Sequence, residues 1–595
     1  MNSIQMIIHY LLRSRKDFLM VIGLQVIAII LALIIPIYTG YLVGGLKPPV
    51  PVETQTILLT NFVIIAVLAV ASFLVGTSAR TFSAKIAAKA LYYVRKDIND
   101  AIYRQSFSFF DKHETGQLVA RATSDVDQTE QIFGFGLTLT IQGFIQLLGV
   151  IILAIIIQPS LSWIFAIMIP TSVITSLFIT VKLKPIYLES REAFGELTNT
   201  IRENIIGANV VRMFGTQEKE KGKFSANNKR FYDASVRTVK WSSIFMPLNT
   251  VLIGGMIILT LFFGGNLFLQ GLMPLSTLVT FLGYVGLTTF PLISFGAIFV
   301  MYVQADAALT RIRQVIESVP EILEDTNPVS AEAIEGDVDF ENVSFGYTPD
   351  NLVLKNISFH VPAGQKIAIL GTTGSGKSTI INLLPRFYDV TEGQILVDQV
   401  DIRKYRLKDL RKHIGVVSQD TFLFDKSIKE NIIFGQEDAP MEEVIEAAKV
   451  ADLDEFITSL PEGYDTLTGE RGTRLSGGQK QRLSIARALL IHPKVLILDD
   501  STSSVDVETE YNIQQALEQV MHGTTTFIIT QRISTIRKAD QIMVLDKGRI
   551  VGLGTHEDLL ESNVLYRQIF ETLLSKQKKL ITEPSILAKK EVPDP

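Results

Sequence analysis

Residues 366–383 read KIAILGTTGSGKSTIINL, and this stretch decides the architecture of the second half of the chain. Lys366–Leu370 is an apolar run of strand length, and an apolar helical pattern follows Ser378. Between them, Gly371-Thr372-Thr373-Gly374-Ser375-Gly376-Lys377-Ser378 has the spacing G-x-x-x-x-G-K-S. The glycines let the backbone curl until several N–H groups face one point. Those donors, at the start of a helix, bind phosphate. Lys377 adds positive charge where β- and γ-phosphates would lie, and the Ser378 hydroxyl is of the type that ligates magnesium. The strand–loop–helix setting separates this match from a chance one.

Working outward, Val495-Leu496-Ile497-Leu498-Asp499 reads as a buried strand ending in a carboxylate suited to a magnesium shell. Alone it is a weak signal; beside a phosphate loop it is a strong one. Between the two lies Leu475-Ser476-Gly477-Gly478-Gln479, followed by Lys480-Gln481-Arg482. A Ser-Gly-Gly run before a helix is either an ordinary cap or a hydroxyl with bare N–H groups offered to another phosphate. Spacing does not choose between them. Short strands alternate with helical segments from residue 334 to 575, a soluble α/β pattern. Residues 306–333 are charged and carry Asn327-Pro328, which reads as a helix end and linker, and the Lys-, Pro- and Glu-containing residues 576–595 read as a mobile cytoplasmic tail.

Residues 18–305 are of another kind. Phe18–Leu46 and Thr54–Ala79 carry no charge; nor do Gln131–Val181, broken at Gln158-Pro159-Ser160, and Trp241–Ala305, broken near Gly271-Leu272-Met273-Pro274. A bilayer span needs about 20 apolar residues. Two single and two double runs therefore predict six membrane-spanning helices. Arg13, Arg15 and Lys16 precede the first span, and basic residues recur from Arg80 to Arg121 and from Lys182 to Lys240. The opposite loops hold only Lys47 and Glu53. Both termini and the two long loops are thus expected on the cytoplasmic side of the cell membrane. The long loops have few Gly or Pro and read as helices continuing the spans into the cytoplasm. Residues 1–17 read as an amphipathic lead-in rather than a signal peptide.

Of the 595 residues, 47% are hydrophobic and 20% charged, net charge is −5, and there is no cysteine. Disorder, a global nucleic-acid footprint, disulfides, thiolate chemistry and Cys-ligated metal are excluded. No Asp, Glu, Lys, Arg or His lies inside the spans, so an intramembrane proton relay has no candidate. Any transport must draw its energy elsewhere.

Phosphate loop, Leu-Ser-Gly-Gly-Gln and Ile-Leu-Asp strand, in that order behind six spans, resemble the ATP-binding cassette exporters, and the chain looks like a half-transporter over residues 1–575. The resemblance implies an α-helical transmembrane domain with long intracellular extensions fused to an α/β P-loop cassette, with a helical subdomain around residues 430–490. It also implies a second half-transporter subunit, with two ATPs sandwiched between head-to-tail cassettes. On that pattern Tyr347 stacks on adenine. Gly371, Thr372, Thr373, Gly374, Ser375, Gly376, Lys377, Ser378 and Thr379 hold the phosphates of ATP, and Ser378, Gln419 and Asp499 hold Mg2+. Leu475, Ser476, Gly477, Gly478 and Gln479 act on the partner's ATP. Glu470 and Arg471 resemble a loop that meets the intracellular helices, and Ser503-Ser504-Val505-Asp506 the loop that crosses to the other site. Phe109-Phe110-Asp111, Thr115-Gly116 and Asp125-Val126 resemble the first intracellular loop, and Glu203–Glu218, with Val210-Val211 and Phe214, the second. Short coupling helices are expected at the tips of both.

Two positions depart from the family pattern. Asp500 stands where a glutamate usually orients the attacking water, and Gln531, in Thr530-Gln531-Arg532, stands where a histidine usually contacts the γ-phosphate. Aspartate is one methylene shorter, and a misplacement of about 1 Å costs on the order of 100-fold in rate. Glutamine donates hydrogen bonds but cannot become cationic. The pattern resembles the degenerate-site subunit of heterodimeric bacterial or archaeal multidrug exporters, with a partner carrying the usual glutamate and histidine. The expected function is ATP-driven export of amphiphilic or hydrophobic compounds, drug-like molecules or lipids. The competing readings are a homodimeric slow ATPase acting as a nucleotide-gated membrane regulator, and an importer with the exporter fold. A channel would show charged or polar pore-lining residues, and the spans carry no charge.

Overall fold

The computed structural model describes residues 2–45, 52–330, 334–348, 350–499, 521 and 523–582. They fall into two compact units. One joins Met1–Arg104 with Glu114–Ser318, and the other joins Gln105–His113 with the chain from Val319 onward.

The first unit is all-helical. In chain order its helices are α1 (Ser3–Leu12), α2 (Arg15–Gly44) and α3 (Val52–Tyr103), then α5 (Thr115–Ala122) and α6 (Ser124–Gln131). After them come α7 (Leu137–Ile157), α8 (Pro159–Ile206), α9 (Ala208–Met213), α10 (Gln217–Leu269) and α11 (Leu275–Ile316), while α4 (Phe107–Lys112) belongs to the second unit. Six helical stretches are long and apolar enough to cross a bilayer, as the charge-free runs predict. α3, α8 and α10 each run unbroken for 52, 48 and 53 residues, far beyond a span. The core of this unit is built from Leu33, Leu161, Phe165, Met256, Phe281 and Tyr284.

In an apolar unit a buried polar group is costly unless it finds a partner within the protein. Pro291 inside α11 deprives the Leu287 carbonyl of its helical donor, and Gln146 Nε2 of α7 supplies one at 3.0 Å. A π-helical turn at Ile132–Gly136 precedes α7. The Gly134 carbonyl there accepts from the buried Ser83 hydroxyl at 2.9 Å. Where α2 crosses α11, Thr280 Oγ1 donates to the Pro36 carbonyl at 3.2 Å. A Cβ on Gly40 would stand 2.2 Å from the Ser276 carbonyl oxygen and 2.3 Å from Thr280 Oγ1. Gly40→Ala is therefore expected to destabilise this unit by about 1–3 kcal/mol through overpacking. The midpoint of thermal unfolding in detergent should fall, and an unchanged midpoint would show that the crossing is loose.

Beyond the apolar stretches, α8 and α10 run antiparallel and are cross-linked at seven-residue intervals. Glu189 pairs with Arg237 at 2.6 Å, Glu196 with Arg230, and Glu203 with Lys223 at 2.9 Å. The buried Thr200 hydroxyl accepts from Asn227 at 2.8 Å between two of these rungs. The exposed pairs fix register more than stability.

The second unit carries two sheets. β1 (Val338–Phe345), β2 (Leu354–Val361), β4 (Glu392–Val397) and β5 (Val400–Asp401) form an antiparallel sheet in the order β2-β1-β4-β5. β3 (Lys366–Gly371), β6 (Ile414–Val417), β7 (Val495–Asp499), β8 (Thr525–Ile529), β9 (Gln541–Asp546) and β10 (Arg549–Gly554) form the other, in the order β10-β9-β3-β8-β7-β6. The neighbours from β9 to β6 run parallel. β3, β7 and β8 are almost continuously buried because both faces of a parallel sheet are covered. Phe340, Phe359 and Phe527 lie in the core that links the sheets. A separate helical core, with Val444, Ile457, Leu483 and Ile485, carries the segment around residues 430–490.

Candidate nucleotide site

Four parallel strands lie side by side in the order β3-β8-β7-β6, and each delivers a candidate residue at its carboxyl end. β3 ends in Gly371, the first residue of the phosphate loop. β8 ends two residues before Gln531, β7 ends in Asp499, and β6 ends two residues before Gln419. The register levels them: Ile369 and Asp499 both pair with Ile529, and Leu498 with Val417. At about 4.8 Å per strand, the four ends span roughly 14 Å, the breadth of one nucleotide triphosphate. Residues far apart in the chain thus share one edge of one sheet.

The loop's curl has a local cause. Gly371, Gly374 and Gly376 take φ of +153°, +77° and +104°, a region that L side chains rarely enter. A Cβ on Gly371 would stand 2.3 Å from the Leu545 carbonyl oxygen, and one on Gly376 2.6 Å from Leu354 Cδ2. Lys377 opens the helix Lys377–Leu383, and its ammonium folds back to donate to the Gly371 carbonyl at 3.1 Å and that of Thr372 at 2.9 Å. Burial lowers the Lys377 pKa, and the Asp499 carboxylate partly offsets this. Ser375 is buried, and its hydroxyl oxygen makes no hydrogen bond among the described residues. Thr379 is buried one residue past Ser378, with its hydroxyl 3.3 Å from that of Tyr347. Tyr347 is 44% exposed, leaving ring surface for a flat ligand.

Ser476 caps the helix Gly477–Leu490 in a reciprocal capping box. Gln479 N–H donates to Ser476 Oγ at 3.3 Å, and Ser476 N–H to Gln479 Oε1 at 2.9 Å. The cap is thus real, yet Ser476 and Gly477 remain exposed, so the same helix end is open to a further acceptor. Glu470 and Arg471 form a 3-10 turn, with Arg471 at φ +51°. Gln419 and Gln531 are exposed. Lys377, Asp499, Thr379 and Tyr347 gather around the phosphate loop, while the Ser476 segment sits on the helical core. Asp500 and Ser503–Asp506 lie outside the described residues.

Sequence reading missed the platform beside Tyr347. Its sequence is Arg386-Phe387-Tyr388-Asp389. Arg386 is buried at φ +51°, donates to Asp389 Oδ1 at 2.7 Å, and also donates to the Leu323 and Arg403 carbonyls. The Tyr388 hydroxyl donates to Asp111 Oδ2 of α4 at 2.6 Å, and Phe107 of α4 stacks on Phe387 at 4.1 Å. Burial and Asp111 raise the Tyr388 pKa, which keeps the phenol a donor.

A phosphate loop on an α/β sheet, on the same chain as six membrane-crossing helices, defines the class of ATP-hydrolysing membrane transporters. The ABC transporter transmembrane region matches residues 18–292, and the ABC transporter family matches residues 354–503. The chain belongs to the ABC transporter family, as an exporter half-transporter whose ATP hydrolysis is coupled to transport. A Bacillus subtilis (strain 168) protein provisionally named as the multidrug export ATP-binding/permease protein YgaD is 36% identical over 492 residues, 82% of this chain and 84% of that one. The ATP-dependent lipid A-core flippase of Syntrophus aciditrophicus (strain SB) is 36% identical over 485 residues, 82% of this chain and 80% of the flippase. Among solved structures, a bacterial Atm1-family ABC exporter with ATP bound superposes with a TM-score of 0.82 at 27% identity, covering 94% of this chain and 98% of that chain.

Proposed function

We propose that this chain is one subunit of a heterodimeric exporter of amphiphilic or hydrophobic compounds, and that its own phosphate loop forms the slowly hydrolysing ATP site. The observation that carries this is the pairing of an intact phosphate loop and Leu475–Gln479 segment with Asp500 and Gln531 in place of glutamate and histidine. Relatives named for multidrug export and for lipid A-core flipping support the cargo class. The bias of basic residues supports a cell-membrane protein whose termini and nucleotide unit are cytoplasmic.

Tyr347 would stack on the base, and residues 371–379 would hold the phosphates. Ser378, Gln419 and Asp499 form an all-oxygen donor set that fits Mg2+, which would neutralise phosphate charge when bound. Asp500 would orient water poorly and Gln531 would contact the γ-phosphate without charge. ATP here would act mainly by holding the two cassettes together, and Ser476 would complete the partner's hydrolysing site. The cycle is a two-state machine biased by nucleotide. The tip of the second long loop also supports a partner: α9 buries none of its side chains, and Met213 and Phe214 are 78% and 72% exposed between charged helix ends.

Native mass spectrometry of the detergent-solubilised complex tests the assembly. A non-identical second subunit at one-to-one is expected. A homodimer would put Asp500 and Gln531 in both sites and favour the slow regulator. Asp500→Asn is expected to lower ATPase of the complex by less than about twofold, while the matching change at the partner's glutamate lowers it on the order of 100-fold. Equal losses would overturn the asymmetry.

A further inference from the structure

We infer that Tyr388 is a positioning residue that links the base-stacking Tyr347 to α4, so that seating the nucleotide base, separately from the γ-phosphate, sets the position of this loop helix. The inference rests on the reading of Tyr347 as the adenine platform.

Three observations carry it. First, α4 is built into the nucleotide unit although its flanking helices α3 and α5 belong to the membrane unit. Its anchors are the Tyr388–Asp111 hydrogen bond at 2.6 Å, the Phe107–Phe387 stack, and the Lys112–Glu321 ion pair at 2.5 Å. Second, the aromatic contacts are continuous. The rings of Tyr347 and Tyr388 meet edge to face at 5.2 Å, and Phe345 touches both, at 5.0 and 5.6 Å. Edge-to-face pairs hold a defined mutual geometry, so a turn of one ring is felt by the other. Third, the two ends of this chain of contacts differ in freedom. Phe387 and Tyr388 follow Arg386, whose guanidinium is held by Asp389 and two backbone carbonyls. Tyr347 is exposed, lies on no such anchored segment among the described residues, and borders a cavity of about 580 Å³ that Asp111, Lys112, Glu321 and Tyr388 also line. Tyr347 thus has room to settle against a base, and the Tyr388 hydroxyl ties the ring packed on it to Asp111.

The path does not pass through Lys377, Asp499 or Gln531; it meets the phosphate-holding segment at the Tyr347–Thr379 hydroxyl pair, 3.3 Å apart, and the step from Tyr388 to α4 lies beyond that pair. α4 is covalently continuous with α3 and α5, so its position bears directly on two membrane-unit helices. Base occupancy and γ-phosphate occupancy would then reach the membrane unit by separate routes, which suits a site that holds ATP longer than it cleaves it.

The test is hydrogen exchange of residues 107–112 in the full complex in nanodiscs, with ATP or with ribose triphosphate, which lacks the base. ATP is expected to slow exchange in this segment several-fold, and ribose triphosphate at equal occupancy to leave it unchanged. Tyr388→Phe keeps the ring and removes the hydroxyl. It should abolish the ATP-induced protection while leaving ATP affinity within about twofold, since Tyr388 touches no phosphate-facing group. Asp111→Asn keeps an acceptor and should retain the protection; Asp111→Ala should lose it. Equal protection by ATP and ribose triphosphate, or protection unchanged in Tyr388→Phe, overturns the inference. ATP-driven uptake of a fluorescent amphiphile into inside-out vesicles is measured alongside. Its absence in the unaltered complex would defeat the exporter reading, while the exchange data would still judge the role of Tyr388. Tyr347→Ala separates the platform itself: unaltered base preference in that variant would remove Tyr347 from the site, whatever Tyr388 does.

Discussion

Lys377→Ala is expected to weaken ATP binding at this chain's site on the order of 100-fold, the scale on which removal of one preorganised donor from a charge-stabilising site acts. The ammonium lies against the Gly371 and Thr372 carbonyls, inside the loop rather than over it, and burial there lowers its pKa. A cation stripped of part of its water gains more from an incoming phosphate than a solvated one does. Lys377→Met, which keeps the stem, should lose as much as the alanine variant. Stability should change by less than about 1 kcal/mol, because the side chain is part-exposed and supports no core packing. Titration of the complex with a non-hydrolysable ATP analogue would show two classes of site in the native protein and loss of the tighter one in either variant. An unchanged isotherm would place Lys377 outside the site.

Ser476→Ala is expected to cut ATP turnover of the complex by on the order of 100-fold while lowering stability by only about 1 kcal/mol, the ordinary cost of a lost N-cap. The disparity is the informative part. Among the described residues the hydroxyl accepts from the Gln479 N–H at 3.3 Å, at an exposed helix end. A residue with no further role would show the stability loss alone. Ser476→Asn, a comparably good N-cap, should restore the unfolding midpoint without restoring turnover. If the asparagine variant hydrolyses ATP like the native complex, the serine is a cap and nothing more.

Much of the fold was legible because its signals are local. Charge-free runs the length of a bilayer mark spans wherever they occur, and few helix breakers between Lys182 and Lys240 let α8 and α10 extend beyond the apolar stretch. The phosphate loop was legible for a similar reason: left-handed φ at Gly371, Gly374 and Gly376 leaves no other residue type comfortable there. The Ser-Gly-Gly segment was legible only in part. Its cap is a short-range fact, but what lies opposite its open end belongs to another molecule. Gln419 and Gln531 carry no local signal at all, and only the resemblance singled them out.

The sequence by itself determined the six apolar helices and the strand–loop–helix that cradles phosphate. Each of these depends on neighbours within a few residues, where backbone geometry and hydropathy act directly. Tertiary structure alone decided the strand order β3-β8-β7-β6, which brings residues 371, 531, 499 and 419 to one edge. It also decided that α4, six residues between the membrane-unit helices α3 and α5, packs into the nucleotide unit through Phe387 and Tyr388. Nothing near residue 107 in the chain encodes that choice, because its ring and hydroxyl partners stand some 280 residues away and are selected by ring shape and one hydrogen bond.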